Sequence, residues 1–599
     1  MSIPARGAPN LSPRALLFLS LLSISAGCDP RDEHTPVAGS PAAPASAPPP
    51  SAELSRRFVD ITEPSGIRFL HSTGGRGEKL LPETMGSGGA FLDYDLDGRL
   101  DIFLVNSGVW PDERGGAADP APLPRSALWR GRGDGTFEDA TAASGAGLAL
   151  YGMGVAVADY DADGDPDLTV TALGDNVLLR NDGGVFRDVT GEAGVAGERW
   201  RREDDPPGAP GRPEWSTAAA WLDADQDGDL DLFVANYVKW SRELEIFTTL
   251  DGRTKAFTTP DRYDGLPCRL FLQRAPGRFE DVSEPAGLAR IAAKALGVAL
   301  WDLDGDGRED LVVANDTRPN LLLLARGAGR YEERGLALGI AYDELGRARA
   351  GMGIDIADYG NDGVPGVAIG NFSGESVSLY RLAAGGTFTA DAARAGLEAP
   401  TWRPLAFGLL FADLDLDGIQ DLIIANGHIE PDIARFSPAE SHAQSPQLFR
   451  GLPGGRFADA SALAGDDFRR PRVGRGLAAG DIDGDGDLDL LITTNGGAPA
   501  LLRNDPAPGA PSPHFLRVRL IGRPPNTGAL GAKVTLRAGG ITQTRFVRTG
   551  SSYLCQSEPT LTFGLGPSSA IDELQVEWPG GESRTVPVEG IDRTIEAQE

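Results

Sequence analysis

The sequence predicts an all-β chain, a seven-bladed β-propeller followed by a small β-sandwich-like domain. Three observations carry this reading. A nine-residue acidic loop recurs seven times between residues 93 and 489, with start-to-start spacings of 55 to 79 residues. Short β-branched runs punctuated by Gly, Asn and Asp flank every loop and read as strands. A closing stretch of the form F-x-D-x-(T/S) follows most of the loops. A period this long, kept over seven units, signals a propeller or solenoid rather than independent domains, and four strands per unit suit propeller blades.

Residues 1–27 read as an export signal. Arg6 and Arg14 supply positive charge, and "ALLFLSLLSISAG" is apolar but too short to span a bilayer. The run "SISAGC" resembles a bacterial lipobox, with Ser25 where Leu is usual, which makes Cys28 the expected lipidation site. An ordinary secretory signal cut nearby is the alternative. Asp29 follows Cys28, a pattern that favours inner-membrane retention in some Gram-negative bacteria. The expected localisation is an exported, membrane-anchored lipoprotein, periplasmic or at the cell surface. Residues 28–56 hold Cys28 and a Pro/Ala-rich tether that cannot bury a core.

The propeller is expected over residues 57–505. Within each unit an apolar run leads into the acidic loop, a second leaves it, a third follows, and the closing stretch ends the unit. Loops one to six are followed by closing strands at Phe137, Phe186, Phe279, Tyr331, Phe388 and Phe457, the fourth and fifth being weak copies. The seventh loop has none. "RFVDITEPSG", from Arg57, is an end-piece with no loop before it. It is therefore expected to complete the seventh blade, joining the ring's ends and removing two free sheet edges.

The loops follow D-x-D-x-D-G-x-x-D. Carboxylates at positions 1, 3 and 5 converge in a tight turn that Gly at position 6 permits, the backbone at 7 offers a carbonyl, and Asp at 9 closes the shell. Six loops carry all four carboxylates: Asp93, Asp95, Asp97 and Asp101; Asp159, Asp161, Asp163 and Asp167; Asp223, Asp225, Asp227 and Asp231; Asp302, Asp304, Asp306 and Asp310; Asp413, Asp415, Asp417 and Asp421; Asp481, Asp483, Asp485 and Asp489. The fifth keeps Asp358 and Asp362 but has Gly360 and Gly366 at positions 3 and 9, so weak or no binding is expected there. Hard oxygen ligands in a flexible loop suit Ca²⁺ better than Mg²⁺ or zinc. About six Ca²⁺ would offset roughly 12 of the 30 net negative charges.

These loops and strands resemble the FG-GAP/VCBS repeats of integrin α-subunits, in which such loops bind calcium within propeller blades. After a linker at 506–513, residues 514–599 contain "NTGALGAKVTLRAGG", "QTRFVRTGSSYLCQSEPTLTFGLG" and "VEWPGG". They resemble the ASPIC/UnbV domain that accompanies such propellers in cartilage acidic protein and in bacterial secreted proteins. Leu516, Val518 and Leu520 alternate with Arg517 and Arg519, as in a sandwich strand with one buried face. The resemblance implies extracellular binding or adhesion.

A net charge of −30 argues against nucleic acid, whose phosphates need a basic surface. Three cysteines are too few for a disulfide scaffold, and Cys268 and Cys555 are expected as unpaired thiols, a disulfide between them being the alternative. No nucleophile–base motif occurs. His71, Glu83 and His428 lie at strand ends and form a candidate pocket, with ordinary packing roles as the competing reading. Met85, Met153 and Met352 precede inner strands and are expected to pack at the ring's core. The functional expectation is a calcium-stabilised extracytoplasmic binding or adhesion scaffold for a protein or glycan, attached to the membrane by lipid. The alternative is a calcium-dependent polysaccharide lyase or hydrolase using the propeller's central pocket.

Overall fold

A computed structural model of the protein describes residues 54–112, 123–510 and 512–599. The expected signal peptide, Cys28 and most of the tether lie outside them. Seven sheets carry the propeller's four-strand order. Their innermost strands are Gly89–Leu92, Gly152–Ala158, Ser216–Leu222, Ala295–Trp301, Gly351–Ala357, Ala406–Ala412 and Gly474–Gly480. Each of these strands contacts the next, and the last contacts the first, so the ring is closed. Apolar side chains fill the gaps between neighbouring sheets, giving a core of radial layers rather than one centre.

The F-x-D-x-(T/S) stretch explains how each sheet is finished. Asp139 Oδ1 accepts the Thr141 amide, and Thr141 Oγ1 accepts the Leu128 amide from the adjoining strand at 3.0 Å. Thr190, Ser283 and Ser461 make the same hook to Leu178, Leu270 and Leu448. The weak fourth and fifth copies lack the hydroxyl, yet Tyr331–Glu333 and Phe388–Ala390 still pair as outer strands. The N-terminal stretch hooks in the same manner across the ring's seam. Arg56–Asp60 pairs antiparallel with Ala500–Pro506, and Thr62 Oγ1 accepts the Leu501 amide at 2.8 Å. Phe58 is buried against Phe468, and buried Arg56 pairs with Asp487 at 2.6 Å. The fold is entered slightly earlier than expected, because Leu54 already packs on the seventh sheet's core.

The C-terminal strands form two sheets. One orders Leu561–Gly566, His514–Ile521 and Arg593–Gln598; the other orders Ile541–Phe546, Lys533–Ala538, Glu573–Glu577 and Ser583–Thr585. Leu516, Val518, Leu520, Val534, Leu536 and Trp578 share their core. Arg517 is buried rather than solvated, because it pairs with Asp481 of the seventh loop and with Glu558.

Residues 549–558 leave this domain and enter the propeller's channel. Cys555–Gln556 adds a parallel strand to Gly89–Leu92. Ser552 and Ile354 exchange both backbone hydrogen bonds, and Leu554 O accepts the Val155 amide. Thr549 Oγ1 bonds the Trp221 amide, and Glu558 N donates to Ala479 O. The Tyr553 ring meets Phe407 edge-on with centroids 5.1 Å apart, and Gly550 abuts Val298. All seven innermost strands thus touch the segment. A Cβ on Gly476 would lie 2.1 Å from Cys555 Sγ, which explains glycine there. Met85, Met153 and Met352 pack around Tyr553 and Leu554, together with Trp110, Trp215 and Trp240. Cys268 and Cys555 are both free and buried.

Candidate metal centres

Each acidic loop joins the first and second strands of its sheet. Position 6 is a left-handed glycine throughout, from Gly98 to Gly486. Position 4 is left-handed as well, although Leu96, Ala162, Gln226, Asn361 and Leu416 carry side chains there. Such residues cost roughly 1–3 kcal/mol each and persist where the surroundings over-determine them. Backbone amides supply part of that constraint. Position 1 accepts the position 6 amide, as in Asp93 with Gly98 at 3.0 Å and Asp413 with Gly418 at 2.9 Å. Position 9 is doubly engaged. Asp167 Oδ2 accepts the Tyr160 amide while Oδ1 accepts the Asn181 amide, and Asp421 does the same with Leu414 and Gly451. Position 9 is thus a backbone clamp besides any ligand role.

Several of the remaining oxygens lack partners. Asp93, Asp95, Asp161, Asp223, Asp225, Asp413, Asp415 and Asp483 each hold a buried Oδ1 with no hydrogen bond. Oxygens of Asp93, Asp95 and Asp101 lie within 4.8 Å of one another, as do those of Asp159, Asp161 and Asp167, and those at positions 1, 3 and 5 of the third, fourth and sixth loops. Burial, reinforced by neighbouring carboxylates, pushes Asp101 up to about 7 and Asp167 to about 9. A buried, converging, acceptor-only oxygen set is what a hard divalent cation needs, and a bound cation would remove the repulsion. The residues present therefore fit Ca²⁺.

An arginine recurs beside the loops near the end of each sheet's third strand: Arg130, Arg180, Arg381, Arg450 and Arg503 stand opposite position 9, and Arg274 and Arg326 two residues further along. Arg130 reaches Asp95 at 2.6 Å, Arg274 reaches Asp225 at 3.1 Å, and Arg450 reaches Asp415 at 2.8 Å. The ending of runs such as "NVLLRND" and "PQLFRG" held this signal. The C-terminal domain meets the position 1 carboxylates of three loops. Thr527 Oγ1 donates to Asp159, Arg517 donates to Asp481 at 2.9 Å, and the Gly564 amide donates to Asp413 at 3.0 Å.

The candidate pocket residues lie apart from the loops, and each has its own bonds. His71 Nδ1 accepts the Gly496 amide, and its Nε2 faces Ser107 Oγ at 3.2 Å. Glu83 accepts the Leu80 amide. His428 Nδ1 accepts the Glu430 amide. Among the described residues, none of the three bonds another. Burial and the nearby Arg475 guanidinium push His71 down to about 3, so it stays neutral.

Family comparisons divide the chain in the same places. The FG-GAP-like repeat model matches residues 93–170 and 302–369, and the ASPIC and UnbV model matches residues 522–599. Cartilage acidic protein 1 of Mus musculus is 26% identical over 63% of this chain and 54% of its own length. The Homo sapiens protein is 26% identical over 61% of this chain and 50% of its own. The chain spans about half the length of these curated relatives. Distant likenesses in solved structures include BBS1N in complex with ARL6DN (TM-score 0.40, 12% identity, 74% of this chain and 96% of that one). An Agrocybe aegerita lectin that recognises non-reducing terminal N-acetylglucosamine gives TM-score 0.34 at 15% identity, over 62% of this chain and 79% of that one. The chain is a propeller protein with FG-GAP-like repeats and a C-terminal ASPIC/UnbV domain, homologous to cartilage acidic protein 1.

Proposed function

We propose that the protein is a calcium-stabilised extracytoplasmic scaffold for binding or adhesion, held at a membrane by lipid on Cys28, with a protein or glycan as its ligand. FG-GAP-like repeats and an ASPIC/UnbV domain suggest a scaffold of this type. The observation that carries the reading is the pairing of unpartnered loop carboxylates with a filled channel. The carboxylates call for cations. The channel that an enzyme of this shape would use is occupied by residues 549–558, so the lyase or hydrolase reading loses its central pocket.

In this reading one ion sits in each loop with four Asp residues and neutralises carboxylates that otherwise repel. Asp413 then has two roles: Oδ1 faces the ion, and Oδ2 accepts from Gly564. The same ions thereby help to seat the C-terminal domain and its channel segment. Ligand recognition falls to the outer surfaces of the ring. Incubating the purified protein with polysaccharides, alongside a glycan and protein binding screen, tests this. Saturable binding without product is expected; release of unsaturated or hydrolysed oligosaccharide would overturn the scaffold reading. Replacing Cys28 by Ser should move the protein from the detergent phase to the aqueous phase on partitioning, and an unchanged distribution would remove the lipid anchor.

A further inference from the structure

The fifth loop departs from the other six in three linked ways. Position 3 is Gly360, position 9 is Gly366, and the third-strand arginine pairs with position 5 alone. In the first, third, fourth and sixth loops this arginine pairs with the position 3 carboxylate from outside: Arg130 with Asp95, Arg274 with Asp225, Arg326 with Asp304 and Arg450 with Asp415. Arg130 and Arg450 also reach position 5, at Asp97 and Asp417, and in the fifth loop only that contact remains, between Arg381 and Asp362. Arg381 Nη1 lies 3.0 Å from where a Cβ on Gly360 would stand, so the guanidinium fills the missing carboxylate's space.

The surroundings are fitted to that placement. The Tyr359 ring lies under the guanidinium, 5.2 Å from its carbon, a favourable cation–π arrangement. That ring would sit 2.1 Å from a Cβ on Gly366, so it occupies the place of the position 9 carboxylate. Its hydroxyl is fixed by Asp391 at 2.6 Å, and Asp391 is itself clamped by Arg394. Asp358 keeps the turn's backbone bonds, with Oδ1 accepting the Asp362 amide at 3.0 Å and Oδ2 the Gly363 amide at 2.9 Å, as Asp159 and Asp302 do in their loops. The half-buried Arg545, from the C-terminal domain, adds positive charge near Asp413 and, more weakly, near Asp358.

We propose that the guanidinium of Arg381 takes the cation's place in the fifth loop, giving that blade a permanent, metal-independent counter-charge. The proposal rests on the calcium reading of the other six loops. Arginine suits the role because it stays charged and its planar group can both stack and pair.

Equilibrium dialysis with calcium, followed by elemental analysis, tests this on the whole protein. Asp362→Asn should retain all the calcium of the wild type, while Asp306→Asn, at the same position of the fourth loop, should lose about one equivalent. Arg381→Met should lower Tm by the same amount in calcium and in chelator. Loss of an equivalent from Asp362→Asn overturns the proposal. If the wild type takes up no calcium, the calcium reading of the six loops fails. The Arg381→Met melts then decide the fifth-loop proposal: an equal loss in both buffers supports it, and no loss overturns it.

Discussion

The fifth and sixth loops are neighbours, joined by a hydrogen bond from Asn361 to Gly418 O at 2.7 Å. The fifth holds two carboxylates whose charge is met by arginines, and Asp362 remains open to solvent. The sixth holds four, with Asp413 2% and Asp415 4% exposed, and it lies under the C-terminal domain. Buried like charges need an equal countercharge close by. In the proposed reading Arg381 supplies that charge in the fifth loop, while the sixth, with four carboxylates against Arg450 and Arg545, also takes up an ion. On that reading the same backbone turn serves as a fixed structural joint in one blade and as an ion-dependent one in the next.

The largest effect should come from removing calcium. Ligand at 100 times Kd adds about 2.7 kcal/mol per site, so emptying several sites should lower Tm by about 10 °C or more. Hydrogen exchange should then rise across residues 413–421 and change little across 358–366. Equal deprotection of both loops would erase the distinction. Next in size, Asp413→Ala should cost about 3–5 kcal/mol in calcium, because it removes an ion ligand and orphans the Gly418 and Gly564 amides. Asp358→Ala should cost less, about 1–3 kcal/mol, with no dependence on calcium, since only two amides lose their acceptor. Limited proteolysis near residues 558–566 should rise in the first variant alone.

Near neutral pH the smallest effect lies outside both loops and calibrates them. His71 has its pKa lowered to about 3 by burial and by Arg475, against an ordinary value of 6.5. The unfolded chain therefore binds a proton that the fold refuses. The stability is fully present above pH 6.5 and is lost as pH falls toward 3, at up to about 1.4 kcal/mol per pH unit. In acid denaturation His71→Gln should give a shallower limb below pH 6.5, whatever its stability at neutral pH. An unchanged slope would remove His71 from the acid response.

What could be read from the sequence follows the reach of each signal. The acidic loops and the F-x-D-x-(T/S) stretches repeat, so counting them exposed both the strand order and the displaced piece at Phe58, which pairs with Ala500–Pro506. The segment from Thr549 to Glu558 has no copy elsewhere and no apolar period. Its partners are seven strands spread between Gly89 and Gly480, and nothing local marks them. Arg517 misled for a related reason. Alternation placed it on a polar face, but that face meets Asp481 instead of water. In the fifth loop the missing carboxylates were visible as Gly360 and Gly366. Their replacement by Arg381 and Tyr359 depends on packing across three strands and could not be seen in a nine-residue pattern.

The contrast between loops stands on one premise, that the four-carboxylate loops hold calcium. The most direct test is the calcium content of the purified wild-type protein after dialysis against micromolar calcium. About six ions per chain are expected, one for each loop with all four Asp residues. A chain that retains none, and melts identically in calcium and in chelator, would contradict the account.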